Sequence, residues 1–287
     1  MNVKDQTAMV RVGIYSLLIL AAIFYIVPLY VMVVTSLKTM EEVRTGNIFA
    51  WPSVPTFEPW IKAWTSACTG LNCTGIHVGF WNSVSIVVPS VIVSIFFGAL
   101  NGYALSFWKP KGGVWLFSGL LLGAFIPYQL FLFPLTKMLV AVGLFKTLAG
   151  LVFVHTLFGM PVMTLLFRNY FSSIPVELFN AAKVDGANFW AIFFQVMLPM
   201  STPIIIVAVI MQTTGIWNDF LFGLVFANSD NVPMTIQLNN IVNSTTGERE
   251  YNVNMAATIL TSLVPVIVYL LSGKYFVRGI AAGAVKG

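Results

Sequence analysis

Apolar residues crowd into six long runs, at 12–37, 80–106, 114–137, 148–168, 202–226 and 256–277. Each supplies the roughly 20 mostly apolar residues that a helix needs to cross a bilayer. Polar residues gather between the runs, in two long segments (38–79 and 227–255) and several shorter ones. The first run has 26 uncharged positions between Arg11 and Lys38 and no small-residue cleavage site at its end. It is too long for the apolar core of a signal peptide and reads as an uncleaved span. Pro28, Pro89, Pro127, Pro134, Pro161 and Pro265 fall within runs. Each kinks its helix and frees backbone groups, which neighbouring helices or a water-lined cavity must satisfy again. Gly98-Ala99 and the pair Gly119 and Gly123 leave room for close helix contact.

Composition turns this pattern into a fold class. The chain is 58% hydrophobic and 9% charged, with mean hydropathy +0.87. Soluble domains carry about 25% charged residues, so lipid is the solvent this surface suits. The expectation is an all-α integral membrane protein of six transmembrane helices. The net charge of +5 does not point to nucleic acid, because the 15 basic residues form no dense patch. Their placement follows topology instead. With the N-terminus inside, nine lie on the cytoplasmic side (Lys4, Arg11, Lys109, Lys111, Arg168, Lys183, Lys274, Arg278, Lys286). Six lie outside: Lys38, Arg44, Lys62, Lys137, Lys146 and Arg249. That bias puts both termini in the cytoplasm. Trp81, Trp108, Trp115 and Trp217 sit near run ends, where an aromatic belt would be. The expected division is residues 1–37 (N-terminus and first span), 38–79 (a compact Trp- and Pro-rich extracytoplasmic loop), 80–277 (the remaining five spans) and 278–287 (a cytoplasmic tail).

Candidate chemistry is sparse. Cys68 and Cys73 have four residues between them in a polar segment. They pair if that segment faces an oxidising compartment and stay as two thiols otherwise. No Cys/His cluster offers a metal site. Asp219 is the only acidic residue within a run, where a charge costs at least about 2.5–3.5 kcal/mol unless paired or facing water. Two roles are open to it: locking the fifth span to a neighbour or to loop backbone, or lining a polar path with Asn218. Tyr128, Gln129, Gln212 and Trp217 are the other residues suited to such a path. Amides are neutral partners for sugar hydroxyls, and aromatic faces cover a pyranose ring. His155 reads as a buried packing residue. No G-x-x-x-x-G-K-[ST], H-E-x-x-H or Ser/His constellation is present, so the chain is expected neither to hydrolyse ATP nor to be an intramembrane enzyme.

The cytoplasmic loop 172–203 is the most informative stretch. Pro175 suits a helix start, and Glu177 lies near the positive end of that helix's dipole. Asp185-Gly186 is a stop signal, since Gly tolerates the left-handed conformation of a helix C-terminus. A second helix is expected from Asn188 to Leu198-Pro199, with Pro203 opening the fifth span. Ala181 and Ala182 leave a low, smooth surface that another protein can approach closely.

The run Ala181-Ala182-x-x-Asp185-Gly186-Ala187, followed eleven residues later by Leu198-Pro199, resembles the coupling-helix motif of ABC importer permeases. The motif's leading glutamate is replaced here by Asn180. Trp217-Asn218-Asp219-Phe220-Leu221, Asn82-Ser83, Asn101-Gly102-Tyr103-Ala104-Leu105 and the small-residue tail Gly283–Gly287 extend the likeness to the maltose-type, binding-protein-dependent sugar permeases. Within that family Trp217–Phe222, Leu238-Asn239-Asn240 and Thr246–Val253 look most similar to permeases of bacterial glucose/mannose importers.

The resemblance implies a type I importer permease bundle in a bacterial or archaeal cytoplasmic membrane. It implies a non-catalytic subunit that binds no cofactor itself, ATP and Mg being held by the partner ATPase. The implied partners are a second, non-identical permease, two ABC ATPase subunits, an extracytoplasmic sugar-binding protein and membrane lipid. Glu177, Asn180, Ala181, Ala182, Asp185, Gly186, Ala187, Leu198 and Pro199 would couple to the ATPase. A permease for another sugar or polyol, such as a maltose-type oligosaccharide, and a stand-alone secondary transporter are the alternatives.

Overall fold

The computed structural model describes residues 3–69, 72–243 and 249–284, with side-chain surroundings between residues 10 and 272. Every regular element among them is helical. The first half contains α1 (Val3–Ser36), α2 (Met40–Thr45), α3 (Glu58–Thr65) and α4 (His77–Tyr103), then α5 (Gly113–Phe125) and α6 (Leu132–Ala141). α7 (Leu148–Phe171), α8 (Val176–Val184), α9 (Phe189–Ile192) and α10 (Leu198–Met200) follow. The chain closes with α11 (Thr202–Trp217), α12 (Leu221–Phe226), α13 (Met234–Val242) and α14 (Tyr251–Ala284). Among the described residues, four stretches are long and apolar enough to cross a membrane: Val10–Ser36, His77–Trp108, Leu148–Phe171 and Tyr251–Ser272. Two bent helix pairs raise the number to six when each is one span.

The expected break at Pro127 is far sharper than a kink, and the fifth run, expected as one helix, is divided. Between Gly113–Phe125 and Tyr128–Ala141 the chain turns by 100°. Pro127 has no N–H to donate, and the residue before it, Ile126, is extended at ψ 131°. Run 202–226 divides too, because α11 stops at Trp217 and the chain restarts as α12 at Leu221. The second helix of the 172–203 loop is also not a plain α-helix to Leu198. α9 passes through a π-helical turn at Phe193–Met197 into α10, and the whole of Phe189–Met200 meets α11 at 78°. The polar segment 227–255 contains α13 and the start of α14. Thr246, Gly247, Glu248 and the last three tail residues lie outside the described residues.

The chain forms two compact units. One comprises Met1–His77 with Leu238–Ser262. Its centre is the end of α1, where Val34 and Ser36 are wholly buried. The Trp60 indole N–H donates to Ser36 Oγ (3.2 Å), and Thr56 N–H donates to Leu37 O (2.9 Å). Lys38 is 3% exposed. Its ammonium donates to Asn47 O at 2.8 Å, while its own carbonyl accepts from the Asn252 amide at 2.9 Å. An ion pair at 2.7 Å joins Lys62 and Glu250. Gly75 has φ +68° and lies so close to the Trp64 carbonyl that no side chain fits there. Cys68 and Cys73 form a disulfide.

The other unit comprises Val78–Gln237 with Leu263–Gly287. α4 and α7 pack backbone to backbone at Gly98 and Gly102, where added side chains would run into Met163 and Phe167. Gly119 and Gly123 make no such contact in this chain. They line an open apolar groove of about 490 Å³ with Leu135, Leu157 and Pro161. Polar bonds tie the start of α4 to α13 and the loop before it. Ser83 Oγ accepts from Met234 N–H (2.9 Å), Gln237 Oε1 accepts from Gly79 N–H (2.9 Å), and the Asn82 amide donates to the carbonyls of Asp230 and Val232.

Candidate functional site

α8 is built as a two-faced helix. Pro175 immediately precedes it, Glu177 lies in its first turn and Lys183 in its last. Asp185 ends it, its N–H donating to Ala181 O (3.0 Å), and Ala187 N–H then donates to Ala182 O (3.0 Å). Gly186 takes φ +81° to allow that turn, and a side chain there would meet nothing within 4 Å. Asn188 Oδ1 accepts from Ala191 N–H at 2.9 Å and so caps α9. Glu177, Asn180, Ala181 and Val184 follow the i, i+3, i+4, i+7 spacing of one helix face, and all four are exposed. Ala182 and Ala187 are half-buried, while Asp185 and Gly186 are exposed. Leu198, on α10, is half-buried and Pro199 exposed. The Tyr170 hydroxyl fastens α10 to the end of α7 by donating to Met200 O (2.7 Å).

The other face of α8 is held by Phe179, a residue the motif does not include. It is 5% exposed. Its ring stacks on Phe107 at 4.9 Å and meets Trp108 edge-on at 5.7 Å, both in the π-helical turn Ala104–Trp108 that continues α4. Tyr103 packs against Phe179, Phe171, Phe189 and Phe193, and its hydroxyl donates to Phe189 O (3.2 Å). The Lys183 ammonium lies over the Trp108 ring at 5.1 Å from its centre. Aromatic pairs in such geometry add about 0.5–1.5 kcal/mol each beyond their buried area. The cluster therefore fixes α8 to the ends of α4 and α7 and to α9. Its only sequence signal was the four-residue spacing of Tyr103 with Phe107 and of Phe189 with Phe193.

A second constellation forms at the break after α11. Tyr128, His155, Gly215, Asn218, Asp219, Phe220, Leu221 and Phe222 line a cavity of about 490 Å³, a volume within the range of small-molecule sites. A smaller cavity of about 220 Å³ shares His155 and Gly215 with it and adds Gln212. Gln212 is buried against Gly159, where no larger residue leaves room for its amide. Asp219 lines the larger cavity and is tied into the fold. Its Oδ2 accepts from Gly223 N–H (3.1 Å), capping α12, and its carbonyl accepts from Thr235 Oγ1 (2.7 Å). The same Oδ2 lies 3.9 Å from His155 Nε2. His155 is buried, as expected, and packs edge-on against the ring of Phe222. Two residues fall outside the constellation. Trp217 is 2% exposed and packs edge-on against Phe80, so it presents no face to a ligand and belongs to no interfacial belt. Gln129 is exposed on the short turn Tyr128–Phe131.

Comparison with known proteins gives a consistent picture. Residues 83–282 match the family described as "Binding-protein-dependent transport system inner membrane component". A probable ABC transporter permease protein of Pyrococcus horikoshii is 34% identical over 96% of this chain and 98% of its own length. The alpha-glucoside transport system permease protein of Rhizobium meliloti is 36% identical over 88% of this chain and 67% of its own. The fold matches a chain in the crystal structure of a bacterial ABC transporter that imports the acidic polysaccharide alginate, with TM-score 0.78 and 21% identity. That match covers 96% of this chain and 99% of the other.

Proposed function

The chain belongs to the family of binding-protein-dependent transport system inner membrane components, and from that premise we propose that it is the permease subunit of an ATP-binding-cassette sugar importer. It forms part of the translocation path and couples that path to a separate ATPase. The observation that carries this reading is α8: one exposed face bearing Glu177, Asn180, Ala181 and Val184 ahead of the Asp185-Gly186 stop, and one face locked into the spans by Phe179. A helix built this way accepts a push from a docked protein and passes it on.

On this reading ATP and Mg bind the partner ATPases, and this chain is not an enzyme. Glu177, Asn180, Ala181, Ala182, Asp185, Gly186 and Ala187 meet the ATPase, with Leu198 and Pro199 closing the loop behind them. Asn180 brings no charge to that contact, so a second, non-identical permease supplies the glutamate. An extracytoplasmic binding protein delivers the sugar, and both termini lie in the cytoplasm. Tyr128, Asn218 and Asp219 offer ring, amide and carboxylate to passing hydroxyls, with Gln212 behind them.

The substrate is glucose, mannose or a related sugar, supported by the likeness of Trp217–Phe222 and Leu238-Asn239-Asn240 to permeases of such importers. A second reading, an α-glucoside, is favoured by the likeness to the alpha-glucoside permease of Rhizobium meliloti. Purification of the chain with its native partners tests both. Uptake into vesicles should require ATP and the ATPase subunits, and the co-purified binding protein should retain glucose or mannose in preference to α-glucosides. Uptake without ATP by vesicles holding this chain alone would overturn the proposal in favour of a secondary transporter.

A further inference from the structure

The segment between α2 and α3 contains an unexplained surface. Ile48, Phe49, Trp51, Val54 and Phe57 are each more than half exposed. No charged residue occurs from Thr45 to Phe57. A loop with five large apolar side chains directed outward is unsuited to water.

Its depth identifies what covers it. The Tyr30 hydroxyl donates to Phe49 O at 3.0 Å. Tyr30 is six residues before the end of α1 at Ser36, about 9 Å back along the helix axis at 1.5 Å per residue. After leaving α1, the chain therefore folds back beside it. The apolar stretch of α1, Val10–Ser36, has 27 residues. At about 40 Å it is longer than the roughly 30 Å hydrocarbon core. Counted from Val10, beside Arg11, about 30 Å of helix ends at Tyr30, so this length sets Tyr30 with Phe49 at the boundary between acyl chains and headgroups. The segment is fastened at this level from both sides. The buried Lys38 ammonium donates to Asn47 O (2.8 Å), and Thr56 N–H donates to Leu37 O (2.9 Å).

The backbone suits the same depth. Irregular backbone cannot face hydrocarbon unsatisfied, but it can lie among headgroups when its donors are occupied. Pro52 and Pro55 carry no N–H. Phe49 N–H donates to Asn47 Oδ1 (2.8 Å), Ala50 N–H to Asn47 O (3.1 Å), and Ser53 N–H to Glu42 Oε1 (2.8 Å). Tryptophan and tyrosine favour this zone because their rings are amphipathic.

We propose that residues 46–57 are an interfacial membrane anchor, seated in lipid headgroups of the leaflet where the Ser36 end of α1 emerges. The anchor fixes how far α1 stands out of the bilayer, independently of which sugar is carried. The occupant is lipid, not a soluble protein, because the segment lies at the level of α1's apolar surface.

The test uses the chain with its native partners in lipid nanodiscs. Tryptophan emission of the native chain and of Trp51→Phe is compared in lipids carrying a nitroxide at the headgroup, high on the acyl chain or near its end. The Trp51 component should be quenched most by the two shallow labels, and that quenching should disappear in Trp51→Phe. As a second measurement, Val54→Cys carries a spin label, which is specific because Cys68 and Cys73 are paired. The label should collide more with oxygen than with a water-soluble nickel chelate. Three results would overturn the anchor: a Trp51 component that no lipid label quenches, a label freely met by the chelate, or a label shielded only when the extracytoplasmic binding protein is added.

Discussion

Gly186→Val isolates the backbone of α8. Gly186 has φ +81°, and a side chain there would meet nothing within 4 Å. The substitution therefore adds no clash, and its whole effect is conformational. An L-residue in the left-handed region costs about 1–2 kcal/mol, with a β-branched one at the upper end. Since 1.4 kcal/mol is tenfold in an equilibrium, about 2 kcal/mol lowers the population of the native turn roughly 30-fold. Asn enters this region at little cost, so Gly186→Asn should behave nearly as the native chain, with Gly186→Ala between the two. The assay is substrate-stimulated ATP hydrolysis by the reconstituted transporter, alongside the amount of chain inserted in the membrane. Gly186→Val should insert normally and lose coupled hydrolysis. The reasoning fails if Gly186→Val couples fully, or if Gly186→Asn is as damaging as Val.

Phe179→Ala empties the centre of the aromatic cluster and should destabilise the assembled protein by about 3–5 kcal/mol, seen as a lower unfolding temperature in detergent; an unchanged temperature would show that the cluster bears no load. Asp219→Ala removes the cap on α12 and should cost about 0.5–2 kcal/mol, whereas Asp219→Asn keeps an acceptor and most of the stability; equal yield and melting of the Ala variant would refute the capping role. Glu42 gives a pH dependence outside the membrane. The Ser53 N–H donated to it holds its carboxyl below the usual carboxylate range. A depressed folded pKa means that the contribution is present above the unfolded value and is lost as pH falls through the folded one. Hydrogen exchange across residues 46–57 should therefore speed up on acidification once intrinsic rates are subtracted, and Glu42→Gln should lack that step; the same profile in both proteins would exclude Glu42 as its source.

The six apolar runs were legible because lipid selects by composition, which survives any detail of packing. The interruptions were less so. Pro127 announced a kink, but a 100° turn depends on Ile126 being extended and on the tight turn at Tyr128–Phe131, both set by neighbours. The gap between α11 and α12 was hidden inside Trp217-Asn218-Asp219-Phe220-Leu221, whose apolar majority reads straight through. The end of α8 was legible at Asp185-Gly186, since a positive φ almost demands glycine. Phe179 was not, because Tyr103, Phe107 and Trp108 lie more than seventy positions earlier in the chain. The facing of His155 and Asp219 escaped for the same reason: a lone histidine and a lone carboxylate signal nothing until the fold brings them to 3.9 Å.

The two constellations are joined by continuous structure. The Phe179 ring bears on Phe107 and Trp108, which continue α4, and on Tyr103, whose hydroxyl holds the Phe189 carbonyl of α9. From α9 the chain passes through its π-helical turn and the 78° bend into α11, which ends at the break carrying Asn218 and Asp219. Packed aromatic rings yield little to compression, so a displacement of α8 on the proposed coupling reading is borne by α4 and α9 together. On that reading the displacement reaches α11 through the 78° bend, and α11 ends at the wall of the cavity. Contiguity alone does not establish coupling. Among the described residues of α8, Phe179 is the buried side chain that ties the helix to the end of α4, opposite an exposed face that carries Asn180.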